Sequence, residues 1–314
     1  MIDNKKLYRL TPLFREKIWG GHRLHDVYGY DTGCDKAGEA WVVTSLAGNE
    51  DSPVVGTGLT LSQLYQSHRE LFGIDAPICP IRATVIDAGD DLSVQCHPSD
   101  AYAMAHEHSL GKPEAWYVLA VDPGARIEFG HKAKDKDELR TMIMAGQWDR
   151  LLNYVQPAPG DFLFVPDSTM HAIGKGTMVF EVSRNADLTY RVYDYDRRDA
   201  QGRKRQLHVQ QSLAVLKAPS TGQGLIHPDA VAAGGLAVTT YHDVAGEFTL
   251  RRLQCRETGS WQPAGFAFMF ISEGKGTLDG QPVSKGQTWL VPCGHGPLAI
   301  TGPLDILEAS YRAV

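Results

Sequence analysis

Gly160-Asp161-Phe162-Leu163-Phe164-Val165-Pro166-Asp167-Ser168-Thr169-Met170-His171 is the stretch whose reading decides the fold. The apolar run 162–165 is bounded by a glycine and a proline, so it has strand length and a turn on either side. After the second turn the pattern brings His171 in on a further strand. The same spacing of a glycine, five residues and a proline recurs at Gly286-Gln287-Thr288-Trp289-Leu290-Val291-Pro292, and each copy can close a hairpin-like pair of strands. Two β modules are therefore expected, joined by the Gly-, Ala- and Pro-rich stretch from Pro219 to Gly235. The second copy departs from the first beyond its proline. His295 follows Pro292 by three positions instead of five, and no Gln-x-His or Lys-Pro-Glu pattern precedes it. That module reads as structural or lid-forming, without metal ligands.

Working outward, short apolar runs dominate: Ala40 to Thr44, Ile81 to Ile86, Trp116 to Val121, Met178 to Val182 and Phe266 to Ile271. These are strand lengths. Helical patterning is confined to Leu59 to Phe72, residues 99 to 109, Asp135 to Tyr154 and His208 to Leu216. The expectation is a mainly β frame with helical insertions.

The chain of 314 residues, 43% hydrophobic and 22% charged, is long enough for one large domain or two ordinary ones with a substantial core. A net charge of -6, with no basic run longer than Arg203-Lys204-Arg205, argues against nucleic acid as a partner. That run, next to Gly202, reads as an exposed turn. Five cysteines (Cys34, Cys79, Cys96, Cys255 and Cys293) are scattered without a Cys-x-x-Cys pair, which predicts free thiols in a reducing compartment. No stretch has the length of a membrane span, and Met1 to Lys6 lacks the apolar core of a signal peptide. A cytoplasmic protein without a membrane partner is expected.

Gln95, His97, Glu114 and His171 have the ligand types of a divalent-metal site. Gln95 and His97 are one residue apart, a spacing that places both on one face of a strand. Glu114 supplies a hard anionic oxygen and His171 a nitrogen from another strand, a mixed set that suits a borderline metal. His106-Glu107-His108 looks similar but lies in a segment that Ser99 or Asp100 can cap as a helix. Residues two apart diverge on a helix, so this trio predicts a solvated face.

The glycine-to-His171 element resembles the cupin pattern, and the chain as a whole resembles the type I mannose-6-phosphate isomerases, in particular their short bacterial form. The resemblance is carried by Phe14-Arg15-Glu16-Lys17-Ile18-Trp19-Gly20-Gly21, Gly38-Glu39-Ala40-Trp41, Ile86-Asp87-Ala88, Leu92-Ser93-Val94-Gln95-Cys96-His97-Pro98, Gly111-Lys112-Pro113-Glu114-Ala115-Trp116-Tyr117 and Tyr190-Arg191-Val192-Tyr193-Asp194-Tyr195-Asp196-Arg197. These motifs cover roughly the first two thirds of the chain; the remainder agrees in pattern only.

The resemblance implies two cupin-type, jelly-roll β-barrels with helical insertions. Residues 1–222 would form the metal-binding catalytic domain, and residues 223–314 the C-terminal barrel. It implies one zinc ion per chain on Gln95, His97, Glu114 and His171, leaving open whether Gln95 touches the metal. Lys112, Glu181 and Arg191 match the polar side chains around the sugar, and Ser93 and Arg197 fall where the family binds phosphate. Trp19, beside a glycine pair that lets the backbone pass close to a neighbour or ligand, is the aromatic residue favoured for the substrate. The expected reaction interconverts mannose 6-phosphate and fructose 6-phosphate through an enediol, with Glu181 favoured as base. Two departures from the family pattern are Thr84, where a Lys is common, and Cys96, where a Val is common. Thr84 keeps a related or unphosphorylated sugar open as the substrate. A non-catalytic, metal-stabilised sugar-binding protein is the other alternative, and it would not need Lys112, Glu181 and Arg191.

Overall fold

The strands Ile81–Asp87, Glu114–Val121 and Thr177–Arg184 are buried at odd and even positions alike over most of their length, as befits strands covered on two faces. In the computed structural model, which describes residues 2–46, 50–199, 201–222 and 224–313, they form the middle of a six-stranded antiparallel sheet. Its order is Phe162–Val165, Glu114–Val121, Thr177–Arg184, Ile81–Asp87, Ala37–Val43, Leu13–Gly21. A five-stranded antiparallel sheet, Leu152–Val155, Ile127–His131, His171–Ile173, Val94–Cys96, Tyr190–Tyr193, lies against one face. Ile86, Trp116, Val118 and Val179 from the first sheet meet Ile127, Phe129 and Ile173 from the second in one apolar cluster. Among the described residues each of these two ladders runs from edge to edge without closing on itself, so the enclosure is made by two facing sheets. The protein is mainly β, as expected.

The other face of the six-stranded sheet packs on the C-terminal part of the chain. Val85, Tyr117, Phe180 and Val182 join Phe248, Phe266, Phe268 and Phe270 in a single core, and Phe180 stacks on Phe270 with ring centroids 4.9 Å apart. The C-terminal strands belong to a twelve-stranded sheet that also takes in Tyr8–Leu10, paired with Thr288–Val291, and Pro53–Val54. The chain therefore lends its first strand to the module built mostly from its last residues.

Turn chemistry explains several boundaries. Gly160 and Gly286 hold φ of +96° and +86°, which is why a glycine opens each repeat. Gly234 and Gly235, both at positive φ, make the two-residue turn between Val231–Ala233 and Leu236–Asp243 inside the expected linker. Ser99 and Asp135 cap the helices Asp100–Glu107 and Lys136–Met144 by accepting from Tyr102 and Glu138 backbone N–H groups. A capping box at Thr60 and Gln63 starts Leu61–Ser67, and Val209–Val215 forms where expected.

The single helix expected over Asp135 to Tyr154 is corrected. The helix ends at Met144, Gly146 turns the chain at φ +64°, Trp148–Leu151 makes one further turn, and Leu152–Val155 pairs with Ile127–His131 as an edge strand. Backbone pairing overrides the helical pattern there. The helix Arg23–Tyr28 went unread because Leu24 is its only fully buried residue, too little to make a period. No helix among the described residues is long and apolar enough to cross a membrane.

Glu308 sits fully buried in the C-terminal module, accepting from Trp261 Nε1 at 3.1 Å, with Arg251 at 3.7 Å. Burial, partly offset by Arg251, pushes its carboxyl up to about 6. A carboxyl raised above its unfolded value, near 4.3, gives stability that is complete below that value and lost as pH rises through the folded one. Glu308→Gln keeps an acceptor oxygen for Trp261 and removes the titration. Relative to the native protein it should gain about 2 kcal/mol between about pH 4 and pH 7. Unfolding midpoints against pH test this, and parallel profiles for the two proteins would contradict it.

Candidate metal centre and active-site cavity

His97 follows the strand Val94–Cys96, Glu114 opens Glu114–Val121 and His171 opens His171–Ile173, so three strand ends deliver three buried side chains to one point. His97 Nε2 lies 3.1 Å from Glu114 Oε2, and His171 Nε2 lies 3.4 Å from Glu114 Oε1. One ligand atom from each residue lies within 4.8 Å of the others. The rings are set from behind: His97 Nδ1 is 2.8 Å from the Leu188 carbonyl and His171 Nδ1 is 2.9 Å from that of Thr169. A carbonyl only accepts, so each Nδ1 carries the proton and each Nε2 presents a lone pair to the centre.

His97 Nε2 and Glu114 Oε1 are buried and make no hydrogen bond. Lone pairs of an imidazole and of one carboxylate oxygen, facing each other without a donor, would be left unsatisfied, and a divalent cation satisfies them together. The residues fit a metal ion. Gln95 lies opposite His171 in the ladder, with its side-chain amide 3.5 Å from His171 Nε2, at the edge of hydrogen-bonding distance. Its amide thus borders the trio, about as far from His171 Nε2 as the Glu114 carboxylate is.

Lys112 Nζ donates to Glu114 Oε2 at 2.6 Å and to Glu181 Oε1 at 3.0 Å. Burial alone would push the ammonium down, but Glu114 and Glu181 outweigh it and hold Lys112 charged, above its ordinary range. Against its own burial, Glu114 is held well below the usual carboxylate range, chiefly by the Lys112 ammonium. Glu181 is pushed up by burial and by Glu114, with Lys112 opposing. The outcome is one ammonium shared by two buried carboxylates, one of them facing the metal point.

A cavity of about 350 Å³ opens beside this centre, lined by Trp19, Ser93, Gln95, Lys112, Glu181 and Arg191 among others. One wall carries Trp116, Glu181, Thr84 and Trp41 in register across four strands of the six-stranded sheet. The facing wall carries Gln95 and Arg191 on two strands of the other, with His171 next to Gln95 in the same register and buried behind the lining. Alternation along Thr177–Arg184 turns Phe180 and Val182 into the interior core and leaves Glu181 on the cavity side. Trp41 is flanked by the guanidinium groups of Arg82 and Arg15, 3.9 Å and 4.5 Å from its ring centroid.

Ser93 Oγ accepts from Arg191 Nε at 3.2 Å, which brings two of the expected substrate residues together. Arg197 is not brought to the cavity lining: its guanidinium donates to Asp194 Oδ1 at 2.6 Å and to the Asp91 carbonyl. Arg205, expected on an exposed turn, lines the cavity instead, and His208, read only as a helix start, lines it too. Arg203 and Lys204 do lie outside, paired with Asp199 and Asp196. No periodicity in this irregular segment separates Arg205 from its two basic neighbours, so the sequence held no signal for it. Gly21 faces the Asp87 carboxylate that Arg23 binds, and Gly20 passes the Lys36 carbonyl, so the glycine pair serves close backbone approach to neighbours. The Tyr102 ring lies against His106, Tyr190 donates to Glu107, and His108 ends the helix at positive φ, and none of the three belongs to the ligand cluster.

The motifs, the buried trio and the cavity can be set against known proteins. A family model described as phosphomannose isomerase type I, catalytic domain, matches residues 7–117. Mannose-6-phosphate isomerase ManA of Bacillus subtilis is 39% identical over 311 residues, covering 93% of this chain and 94% of that protein. The chain belongs to the type I phosphomannose isomerase family. Mannose-6-phosphate isomerase of Streptococcus mutans serotype c is 49% identical to this family member over 213 residues, 65% of this chain and 67% of that one. The crystal structure of mannose 6-phosphate isomerase from Bacillus subtilis matches it with a TM-score of 0.92 at 34% identity, over 96% of this chain and 99% of that chain.

The centre of this phosphomannose isomerase family member makes a direct prediction. Glu114→Gln leaves an amide where a carboxylate faces two imidazole lone pairs, so metal retained after dialysis should fall at least about tenfold, together with turnover. Metal content by plasma mass spectrometry checks it, and full retention of the ion would contradict the ligand set.

Proposed function

We propose that the protein is a zinc-dependent mannose-6-phosphate isomerase, interconverting mannose 6-phosphate and fructose 6-phosphate, with one zinc per chain on His97, Glu114 and His171 and Gln95 beside them. The observation that supports it best is the buried His/Glu/His trio joined through Lys112 to Glu181, both of which line the cavity, in a chain of this family. The two facing sheets and the C-terminal sheet are read as a pair of cupin-type, jelly-roll barrels. Residues 1–222 would form the catalytic barrel, apart from the strand Tyr8–Leu10 lent to the other, and residues 223–314 the C-terminal one. Free thiols suit the cytoplasm as its location, with a small sugar phosphate as partner.

The reaction moves a proton between two carbons. Removing the proton from C2 while O1 gains one gives the enediol, and adding a proton to C1 while O2 loses one gives the ketose. Glu181 is the base proposed for the carbon-bound proton, since it lies in the cavity wall and its carboxyl is raised by burial and by Glu114. Lys112 holds Glu181 in place and donates to a sugar oxygen as charge develops there. Zinc, when bound, supplies Lewis-acid stabilisation of that oxygen. Arg191 and Ser93 take the phosphate, Arg through its fork of donors. Trp19, with Trp116, Ile86, Leu92 and Ile173, belongs to the apolar part of the lining and keeps water from the reacting carbons.

The test is coupled turnover of mannose 6-phosphate and of free mannose, before and after metal removal and zinc restoration. Zinc-restored turnover of the phosphorylated sugar alone is expected. Turnover of free mannose would shift the substrate class, and metal-loaded protein inert toward both would contradict catalysis. Glu181→Gln should lower kcat by about 10² to 10⁴ with zinc content unchanged. Undiminished kcat would remove Glu181 as the base.

A further inference from the structure

The cavity is uneven in charge. On the wall around Trp41 the cations meet carboxylates: Arg82 meets Asp187 at 3.0 Å, Lys17 meets Glu39 at 3.1 Å and Arg15 meets Glu50 at 3.8 Å. On the other side Arg191, Arg205 and His208 line the cavity together with Ser93 and Thr189. The buried acid found there is Asp194, and two guanidiniums already share it: Arg205 Nε donates to Oδ2 at 2.8 Å and Arg197 Nη2 to Oδ1 at 2.6 Å. Arg191 forms no ion pair among the described residues, its Nε donating to Ser93 Oγ at 3.2 Å and its Nη1 to the Gln206 carbonyl at 2.9 Å. Arg197 also meets Asp90 at 3.8 Å, so three guanidiniums face two carboxylates, and the charge left over at this end is that of Arg191.

His208 is fixed into the same wall by the backbone of Arg191. Its own N–H donates to the Arg191 carbonyl at 2.7 Å, and its Nδ1 accepts the Arg191 N–H at 3.1 Å. A ring nitrogen that accepts carries the lone pair, so the neutral imidazole bears its proton on Nε2 as a free donor. Burial and Arg191 push the ring's pKa down, which keeps it neutral. Arg191, Gln95 and His171 lie opposite one another on three adjacent strands. At about 4.8 Å per strand the cationic wall stands about 10 Å from the metal point, comparable with the length of an open-chain hexose phosphate.

We propose that Arg205 and His208 complete, with Arg191 and Ser93, the pocket for the substrate's phosphate dianion, and that Arg197 acts only through Asp194, as a positioning residue for Arg205. The assignment rests on the sugar-phosphate reading above. Arg205 and Arg191 supply paired donors and charge, and His208 supplies a neutral Nε2–H that adds a directed hydrogen bond without a further cation.

The probe is inorganic phosphate, bound to the metal-loaded full chain, followed by phosphorus NMR line broadening and as a competitive inhibitor. His208→Asn keeps an acceptor near the Nδ1 position for the Arg191 N–H but loses the distal donor, whereas His208→Gln reaches that donor position. His208→Asn should raise both the KM for mannose 6-phosphate and the dissociation constant for inorganic phosphate about tenfold, with kcat changing far less. His208→Gln should recover part of the loss. Arg205→Gln, which leaves His208 untouched, should weaken phosphate in the same way. Phosphate affinity unchanged in both His208→Asn and Arg205→Gln, with the native protein turning over, would overturn this assignment while leaving the isomerase reading intact. Phosphate binding that falls in both variants, in a native protein that turns nothing over, would uphold the anion pocket and sink the isomerase reading instead.

Discussion

A buried carboxylate between two imidazole lone pairs and one ammonium is the interaction on which the rest of this structure depends. Glu114 has no solvent exposure, and Lys112 alone cannot satisfy both of its oxygens: Oε2 takes the ammonium while Oε1 is left without a hydrogen bond. Taking such a charge out of water costs several kcal/mol unless it is matched. A cation at the point shared with His97 and His171 supplies the match, and the same ammonium that steadies Glu114 reaches Glu181. Metal binding and the poise of the proposed base are thereby tied through one lysine.

Rigid sheets make that arrangement possible. The trio comes from strand ends, and the backbone carbonyls of Leu188 and Thr169, in the short segments next to the strands Tyr190–Tyr193 and His171–Ile173, aim the rings. The six-stranded sheet has its second face sealed by the aromatic core around Phe180 and Phe270, which gives the C-terminal module a physical task although the candidate metal ligands all come from the other part of the chain. It backs the wall that carries Glu181. Strand registers then arrange the cavity as two facing rows, with the candidate metal point at one end and the unmatched guanidinium of Arg191 at the other.

Much of this was legible in the sequence because strands and ligands impose short, fixed spacings. Phe162–Val165 and Thr288–Val291 have the bounds their glycine and proline imply, with Gly160 and Gly286 both at positive φ in the turns before them. His97, Glu114 and His171 were readable as ligand types, and they meet within 4.8 Å. Readability failed where long-range pairing or irregular backbone decides. The run from Asp135 to Tyr154 has a helical pattern, yet its last residues are claimed by a ladder with Ile127–His131. In the segment 194–208 nothing periodic tells an inward arginine from an outward one, so Arg205 and His208 were passed over, while Arg197 turned out to be held by Asp194 away from the lining.

Anomalous diffraction at the zinc absorption edge, from crystals of zinc-loaded protein, tests the account most directly. One peak per chain is predicted, at about 2.0 to 2.2 Å from the Nε2 atoms of His97 and His171 and from a Glu114 oxygen. A fully loaded protein with no peak there, or with its zinc on other residues, would contradict the central claim.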